Sequence, residues 1–207
     1  VVSTSTLVDA AGNGAEWLTY GRDYAETHFS PLTQINTRNV KRLSLGWSMV
    51  TDAPQGVVEA TPLMHNGVLY FSLPWNVMTA VDARTGRPKW LWDPGISREQ
   101  FDGKCCGPVN RGMAIYNGRV YAGLLDGRVV ALDQETGKLI WSTQDTVPGG
   151  DTILTSAVRV VKGKVIVGSS GAERAVRGYF SAYDAETGKR VWRFYTVPGD
   201  PSKPFEH

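Results

Sequence analysis

The chain has 207 residues, of which 42 % are hydrophobic and 20 % charged, with a formal net charge of +2. That make-up suits a globular domain with a sizeable core. The basic residues are scattered, which gives no electrostatic case for nucleic acid or a membrane surface, and no apolar run approaches the ~18–20 residues of a membrane span.

The opening VVSTSTLVDAAGNG has no basic segment followed by an apolar core. A secretion signal, if the protein is exported, is therefore expected to have been removed already. Gly14-Ala15-Glu16 reads as a loop, and Leu32–Leu45 is the one stretch with mixed helical periodicity. Glu59 follows in GVVEATPL, where its plain reading is an edge-strand carboxylate facing solvent. Then come the alternating run VLYFSL after Asn66-Gly67, and AVDARTGRPKW at 80–90.

GKCCGP (103–108) holds both cysteines of the chain, Cys105 and Cys106, on adjacent residues. Consecutive Cα atoms lie ~3.8 Å apart across a trans peptide, short of the ~4.4–6.8 Å that ordinary disulfides want. A bond between them would be strained, would close no loop, and makes a poor structural staple. Free thiols, a zinc site and a vicinal disulfide used as a flat polarisable surface remain the readings. Zinc is disfavoured by three scattered histidines, His28, His65 and His207, and by the lack of Cys-x-x-Cys spacing. Those histidines read as surface or packing residues. Arg111 follows six residues after Cys105, and taken alone it reads as a loop arginine.

The second half repeats the pattern. RVYAGLL follows Asn117-Gly118, and ALDQETGKLIW occupies 131–141. ILTSAV carries Thr155, KVIVGSS follows the Lys162-Gly163 turn, and GSSGAERAVRG spans 168–178. Gly168, Gly171 and Gly178 do not form a dinucleotide site, because no helix follows them. AYDAETGKRVW (182–192) completes the series, and the chain closes on PGDPSKPFEH, the composition of an exposed loop.

Asp82, Asp133 and Asp184 lie 51 apart, as do Gly86, Gly137 and Gly188, and Trp90, Trp141 and Trp192. Each element reads as strand, tight turn, strand: Asp caps the turn, Gly supplies positive φ, and Trp begins the next strand. Four short strands in about 50 residues, repeated, predict an all-β fold, a β-propeller with blades at roughly 45–95, 96–145 and 146–195 of one domain, 1–207. A β-sandwich is the plain alternative, but it does not need Trp at a fixed period.

The A-x-D-x-x-T-G-x-x-x-W element resembles the tryptophan-docking motif of quinoprotein alcohol dehydrogenases, eight-bladed propellers carrying pyrroloquinoline quinone (PQQ). WLTYGRDYAETHFSPLTQIN (17–36) is similar to that family's N-terminal segment, so the resemblance covers nearly the whole chain. It implies a Cys105–Cys106 disulfide against one face of the quinone and an oxidising compartment, the periplasm. It implies that Arg111 and Thr155 bind cofactor carboxylates and that Glu59 meets the polar edge of the quinone. Ser170, Gly171 and Ala172 are implied as cofactor contacts, and Glu173 as a ligand of Ca2+ or a lanthanide. The implied activity is oxidation of an alcohol to an aldehyde or ketone, with electrons passing to a cytochrome c. A sugar, polyol or bulky secondary alcohol is an alternative substrate. A non-catalytic propeller scaffold is the alternative class, and it has no use for Cys-Cys, Arg111 or Ser-Gly-Ala-Glu.

The family's catalytic Asp base is expected beyond residue 207, so no catalytic residue is assigned in this chain. About three blades of eight cannot close a propeller, and an open one leaves unpaired strand edges. The remaining blades are expected on another chain or a missing segment.

Overall fold

A computed structural model describes residues 1–51, 56–99, 106–200 and 202–204. Cys105 and His207 lie outside the described residues. Among those described, twelve strands form three four-stranded antiparallel sheets, each a simple up-and-down meander. The first sheet contains β1 (Leu63–His65), β2 (Val68–Ser72), β3 (Met78–Asp82) and β4 (Pro88–Trp92). The second contains β5 (Ala114–Tyr116), β6 (Arg119–Gly123), β7 (Arg128–Asp133) and β8 (Leu139–Gln144). The third contains β9 (Arg159–Val161), β10 (Lys164–Gly168), β11 (Tyr179–Asp184) and β12 (Arg190–Tyr195). No helix of the described residues is long and apolar enough to cross a membrane.

The turn chemistry explains the repeat. In the first sheet the Asp82 carboxylate accepts bonds from the backbone of Arg84 (3.1 Å) and Thr85 (2.8 Å) and from the Thr85 hydroxyl (2.8 Å). Asp133 and Asp184 do the same with Thr136 and Thr187. Gly86, Gly137 and Gly188 have φ of 70°, 71° and 70°, the left-handed region that suits glycine. Each third strand shifts register at the same place, between Ala80 and Val81, Ala131 and Leu132, and Ala182 and Tyr183. Such an irregularity adds local twist just before the turn. The strands begin two residues before their tryptophans, not at them.

Three tryptophans, Trp47, Trp90 and Trp141, each bind the turn of the sheet that follows. The Trp90 indole N–H donates to the Gln134 carbonyl (3.0 Å), and its ring covers Gly137, where a Cβ would stand 2.7 Å from the ring. Trp141 repeats this on Ala185 (3.0 Å) and Gly188 (2.6 Å). Trp47 does so on Ala83 (3.0 Å) and Gly86 (2.4 Å), a docking that the 51-residue spacing does not reveal. Trp90 is 8 % exposed; Trp192, on which no turn of the described residues docks, is 38 % exposed.

The period also hides an exchange of loop lengths. Tyr179 begins β11 51 residues after Arg128 begins β7, but Lys164 begins β10 only 45 residues after Arg119 begins β6. The connection between β8 and β9 is shortened, and the loop between β10 and β11 is lengthened to 169–178. That long loop carries Ser-Gly-Ala-Glu.

The N-terminal segment lies across the first strands of all three sheets. A short helix, α1 (Thr4–Val8), is closed by a capping box between Ser3 and Thr6. Asn117 N–H donates to the Val2 carbonyl (2.8 Å), Trp17 exchanges backbone bonds with Met64 (3.0 and 2.9 Å), and Tyr24 Oη donates to the Val160 carbonyl (2.7 Å). Val2, Leu7, Ala10 and Leu18 join one core with Leu63, Val120, Leu132 and Val165. A side chain of this kind contributes about 1.5–3 kcal/mol when fully buried. Within Leu32–Leu45 the helical content is a single 3-10 turn at Val40–Arg42, and its apolar side chains are exposed. Gly14–Glu16 is non-helical as expected, and Glu16 accepts the Asn66 N–H (3.1 Å) and meets His65 Nδ1 (3.2 Å). His28 packs edge-on to Tyr20.

Candidate functional site

The segments that lead into β1, β5 and β9 run side by side. Thr61 N–H donates to the Arg111 carbonyl (3.2 Å), and Arg111 N–H donates to the Thr155 carbonyl (3.0 Å). Small residues stand at the close approach. A Cβ on Gly112 would lie 3.4 Å from Ala157 Cβ and 3.6 Å from the Thr61 carbonyl. The backbone thus carries Glu59, Arg111 and Thr155 to one place from three sheets.

Their side chains meet there. Arg111 Nη2 lies 3.3 Å from Glu59 Oε2, and Arg111 Nη1 donates to Thr155 Oγ1 (3.0 Å). Thr155 is buried, while the Arg111 and Glu59 side chains are 39 % and 36 % exposed. A partly exposed guanidinium keeps donors for an incoming carboxylate, and its planar fork can hold one through two parallel bonds.

The turn before Arg111 is pinned by a residue that the sequence reading did not single out. Asn110 is buried; its Oδ1 accepts the Gly112 N–H (2.8 Å), and its Nδ2 donates to the Gly123 carbonyl (2.7 Å). Asn-x-Gly is a recognisable side-chain turn signature, visible in PVNRG. Upstream, Cys106 and Gly107 both take positive φ (71° and 75°), and the Pro108 carbonyl accepts the Trp75 N–H (2.9 Å). Pro108 also stands against Gly56, where a Cβ would lie 3.2 Å from its ring. The cysteine turn therefore borders the strand lead-in that bears Glu59.

The loop 169–178 is attached to the same surface. Ser170 donates through both N–H (3.0 Å) and Oγ (2.9 Å) to the Ile153 carbonyl, two residues before Thr155. Gly171 has φ of 116°, and a Cβ there would lie 2.6 Å from Val176 and 3.1 Å from the Asp151 carbonyl. Ala172–Arg174 make a 3-10 turn that leaves Ala172 and Glu173 exposed. Glu173 makes no hydrogen bond or ion pair with another described residue, and among the described residues no three His, Cys, Asp or Glu cluster as a metal site. The structure thus joins Glu59, Arg111 and Thr155 directly, brings Ser170 and Gly171 beside them through Ile153, and sets Glu173 apart on the loop.

These donor types fit the implied groups. Arg111 and Thr155 offer cationic and neutral donors suited to carboxylates. Glu173 offers an uncommitted oxygen donor of the kind a hard cation takes, with further ligands required from elsewhere.

Among curated proteins, the chain is 55 % identical over 194 residues to the quinohemoprotein alcohol dehydrogenase ADH IIB of Pseudomonas putida, covering 94 % of this chain and 28 % of that protein. Among solved structures, the quinohemoprotein alcohol dehydrogenase ADHIIG of Pseudomonas putida HK5 superposes with a TM-score of 0.92 at 47 % identity, over 98 % of this chain and 30 % of that one. A europium-containing methanol dehydrogenase superposes at 0.87 and 38 % identity, over 94 % of this chain and 34 % of that one. The chain therefore spans about a third or less of the length of these relatives. The fold is that of a β-propeller portion. With a family model matched over residues 17–207, the chain belongs to the PQQ-dependent glucose/ethanol/alcohol dehydrogenase β-propeller family.

Proposed function

We propose that this chain is the N-terminal part of a periplasmic PQQ-dependent alcohol dehydrogenase that oxidises alcohols to aldehydes or ketones and passes electrons to a cytochrome c. The observation that carries the reading is the Glu59–Arg111–Thr155 contact, in which the lead-ins of three sheets bring two carboxylate-binding donors, Arg111 and Thr155, and the carboxylate of Glu59 to one surface. The relatives' names support it: two are quinohemoprotein alcohol dehydrogenases and one a methanol dehydrogenase.

When bound, PQQ supplies the two-electron oxidant and a bound cation the Lewis acidity. This chain's residues supply the holding groups. Arg111 and Thr155 bind cofactor carboxylates, and Glu59, already paired to Arg111, faces the polar edge of the quinone. Ser170, Gly171 and Ala172 offer small surfaces that let backbone approach the ring. Glu173 is the ligand this chain contributes to Ca2+, or to a lanthanide; the europium in a relative supports an oxygen-rich site. The catalytic Asp and the other metal ligands come from residues outside this chain.

A Cys105–Cys106 disulfide belongs to the same proposal. Among the described residues no cysteine is free, and the positive φ of Cys106 and Gly107 turns the chain sharply beside the Glu59 segment. An adjacent-cysteine bond would place the protein in an oxidising compartment. Further blades are proposed to follow, because Trp192 is exposed where Trp47, Trp90 and Trp141 each dock on a following turn.

The test is to load the full-length protein with PQQ and Ca2+ and follow alcohol-dependent reduction of an artificial electron acceptor. Turnover that needs both additions, with a bound-quinone absorbance band, is expected. Absence of the band, or turnover without PQQ, contradicts the proposal.

A further inference from the structure

Asp145 is the first residue past β8, and its side chain is 0 % exposed. Its carboxylate accepts bonds from Tyr179 Oη (2.8 Å), from Tyr183 Oη and from Arg193 Nη2 (2.6 Å). Arg193 Nη2 donates to the Asp145 carbonyl as well (2.8 Å), and Arg193 Nε donates to Ser181 Oγ (3.0 Å). Burial, together with the bond to Asp145, pushes both tyrosine hydroxyls well above their ordinary 10.0, so they remain donors at any working pH. A buried ion pair is weak evidence of stability in itself, because desolvation offsets the attraction. What it gives here is geometric definition, and its partners all sit on the two strands after loop 169–178.

Tyr179 closes the base of that loop. Its N–H donates to Ser169 Oγ (3.0 Å), and its carbonyl accepts the Ser169 N–H (3.0 Å). A ladder of cations and rings continues outward. The Arg193 guanidinium lies 3.8 Å from the Tyr179 ring centroid, Tyr179 meets Tyr195 edge-on at 5.9 Å, and Arg177 lies 3.9 Å from the Tyr195 centroid. Arg177 is itself in the loop, and its Nε donates to the Val197 carbonyl (2.7 Å). From Asp145 the chain runs the other way to Ile153, whose carbonyl holds Ser170. One leg of the Ser-Gly-Ala-Glu loop therefore ends on the buried Asp145 carboxylate through Tyr179, and the other is held by the Ile153 carbonyl, eight residues along the chain from Asp145, while Glu173 at the tip has no described partner.

We propose that Asp145 is a positioning residue which, through Tyr179 and Arg193, holds loop 169–178 in the conformation that presents Glu173 to a metal ion. The inference rests on the reading of Glu173 as a metal ligand. It assigns no role in that reaction to Asp145 itself.

The test compares Glu173→Gln, Asp145→Asn, Tyr179→Phe and Tyr70→Phe in the full-length protein. Tyr70 Oη accepts a bond from Gln134 in the first and second sheets, away from the loop, and serves as the control for losing a buried hydroxyl. Ca2+ affinity is read by competition with a chelating dye, and bound PQQ by absorbance. Glu173→Gln is expected to lose Ca2+ binding. Asp145→Asn and Tyr179→Phe are expected to weaken it about tenfold, with the wild-type quinone band restored at saturating Ca2+. Tyr70→Phe is expected to lower the unfolding midpoint without changing Ca2+ affinity. If Tyr179→Phe binds Ca2+ as the wild type does while Glu173→Gln does not, the positioning role is wrong. If Glu173→Gln binds Ca2+ normally, the metal-ligand reading fails, and this inference with it. Should Asp145→Asn not fold, Tyr179→Phe, which removes one oxygen, still decides.

Discussion

The Arg111 guanidinium bridges two neighbouring sheets: Nη2 lies 3.3 Å from Glu59 and Nη1 3.0 Å from Thr155 Oγ1. A lysine ammonium is a point charge and cannot span both partners. Arg111→Lys is therefore expected to weaken PQQ binding by about 10–150-fold, the range for one charge-assisted hydrogen bond of about 1.5–3 kcal/mol. The half-exposed position makes the stability change small, within about 1 kcal/mol. Absorbance titration with PQQ, alongside urea unfolding, separates the two effects.

Gly137 is constrained twice, by φ of 71° and by the Trp90 ring, which a Cβ would approach to 2.7 Å. Gly118 has a similar φ of 72° but open space around it. Gly137→Ala should cost about 2–4 kcal/mol, combining backbone strain with overpacking, against about 1 kcal/mol for Gly118→Ala. Equal urea midpoints for the two variants would remove ring docking from the explanation of the repeat.

The docking bond itself can be weighed. Trp90→Phe leaves the Gln134 carbonyl without its donor and should cost about 1–3 kcal/mol. If a further turn covers Trp192 in the full-length protein, Trp192→Phe there will cost a similar amount. A change within about 0.5 kcal/mol, the usual surface value, would show that no sheet docks on it.

How much of this was legible in the chain depends on the range of the interaction. The Asp-Thr-Gly turns close within five residues, so their spacing alone predicts three of them. Trp47 carries no such signal, because it stands 43 residues before Trp90 and no Asp-Thr-Gly turn precedes it in the chain, although it docks on the Asp82–Gly86 turn. The N-terminal segment read as irregular because its anchors are distant. Glu26 pairs with Arg159 (2.7 Å) across 133 positions, and no local pattern announces that. Arg111, Thr155 and the Ser-Gly-Ala-Glu loop stand out through the family resemblance. Their meeting is set by three strand lead-ins lying side by side, and the fold alone decides that. Asp145 had no signal at all, since a lone Asp after a strand looks like a solvated turn residue.

The three turn carboxylates set an acid limit. Hydrogen bonds from Thr85, Thr136 and Thr187 hold Asp82, Asp133 and Asp184 below their ordinary 3.8. A carboxyl depressed in the folded state contributes stability that is complete above the unfolded value and is lost as the pH falls through the folded one. Unfolding midpoints should therefore drop as the pH falls below about 4, and Asp133→Asn should flatten part of that slope while lowering the midpoint at neutral pH. An acid limb unchanged in the variant would contradict the assignment.

The most direct test of the central claim, that these three sheets present a PQQ site, is an absorbance titration of the full-length protein with PQQ in the presence of Ca2+, comparing wild type with Arg111→Ala. The account predicts one saturable quinone band in the wild type and a loss of affinity of at least about tenfold in the variant. Identical titrations for the two proteins, or no saturable band in either, would contradict it.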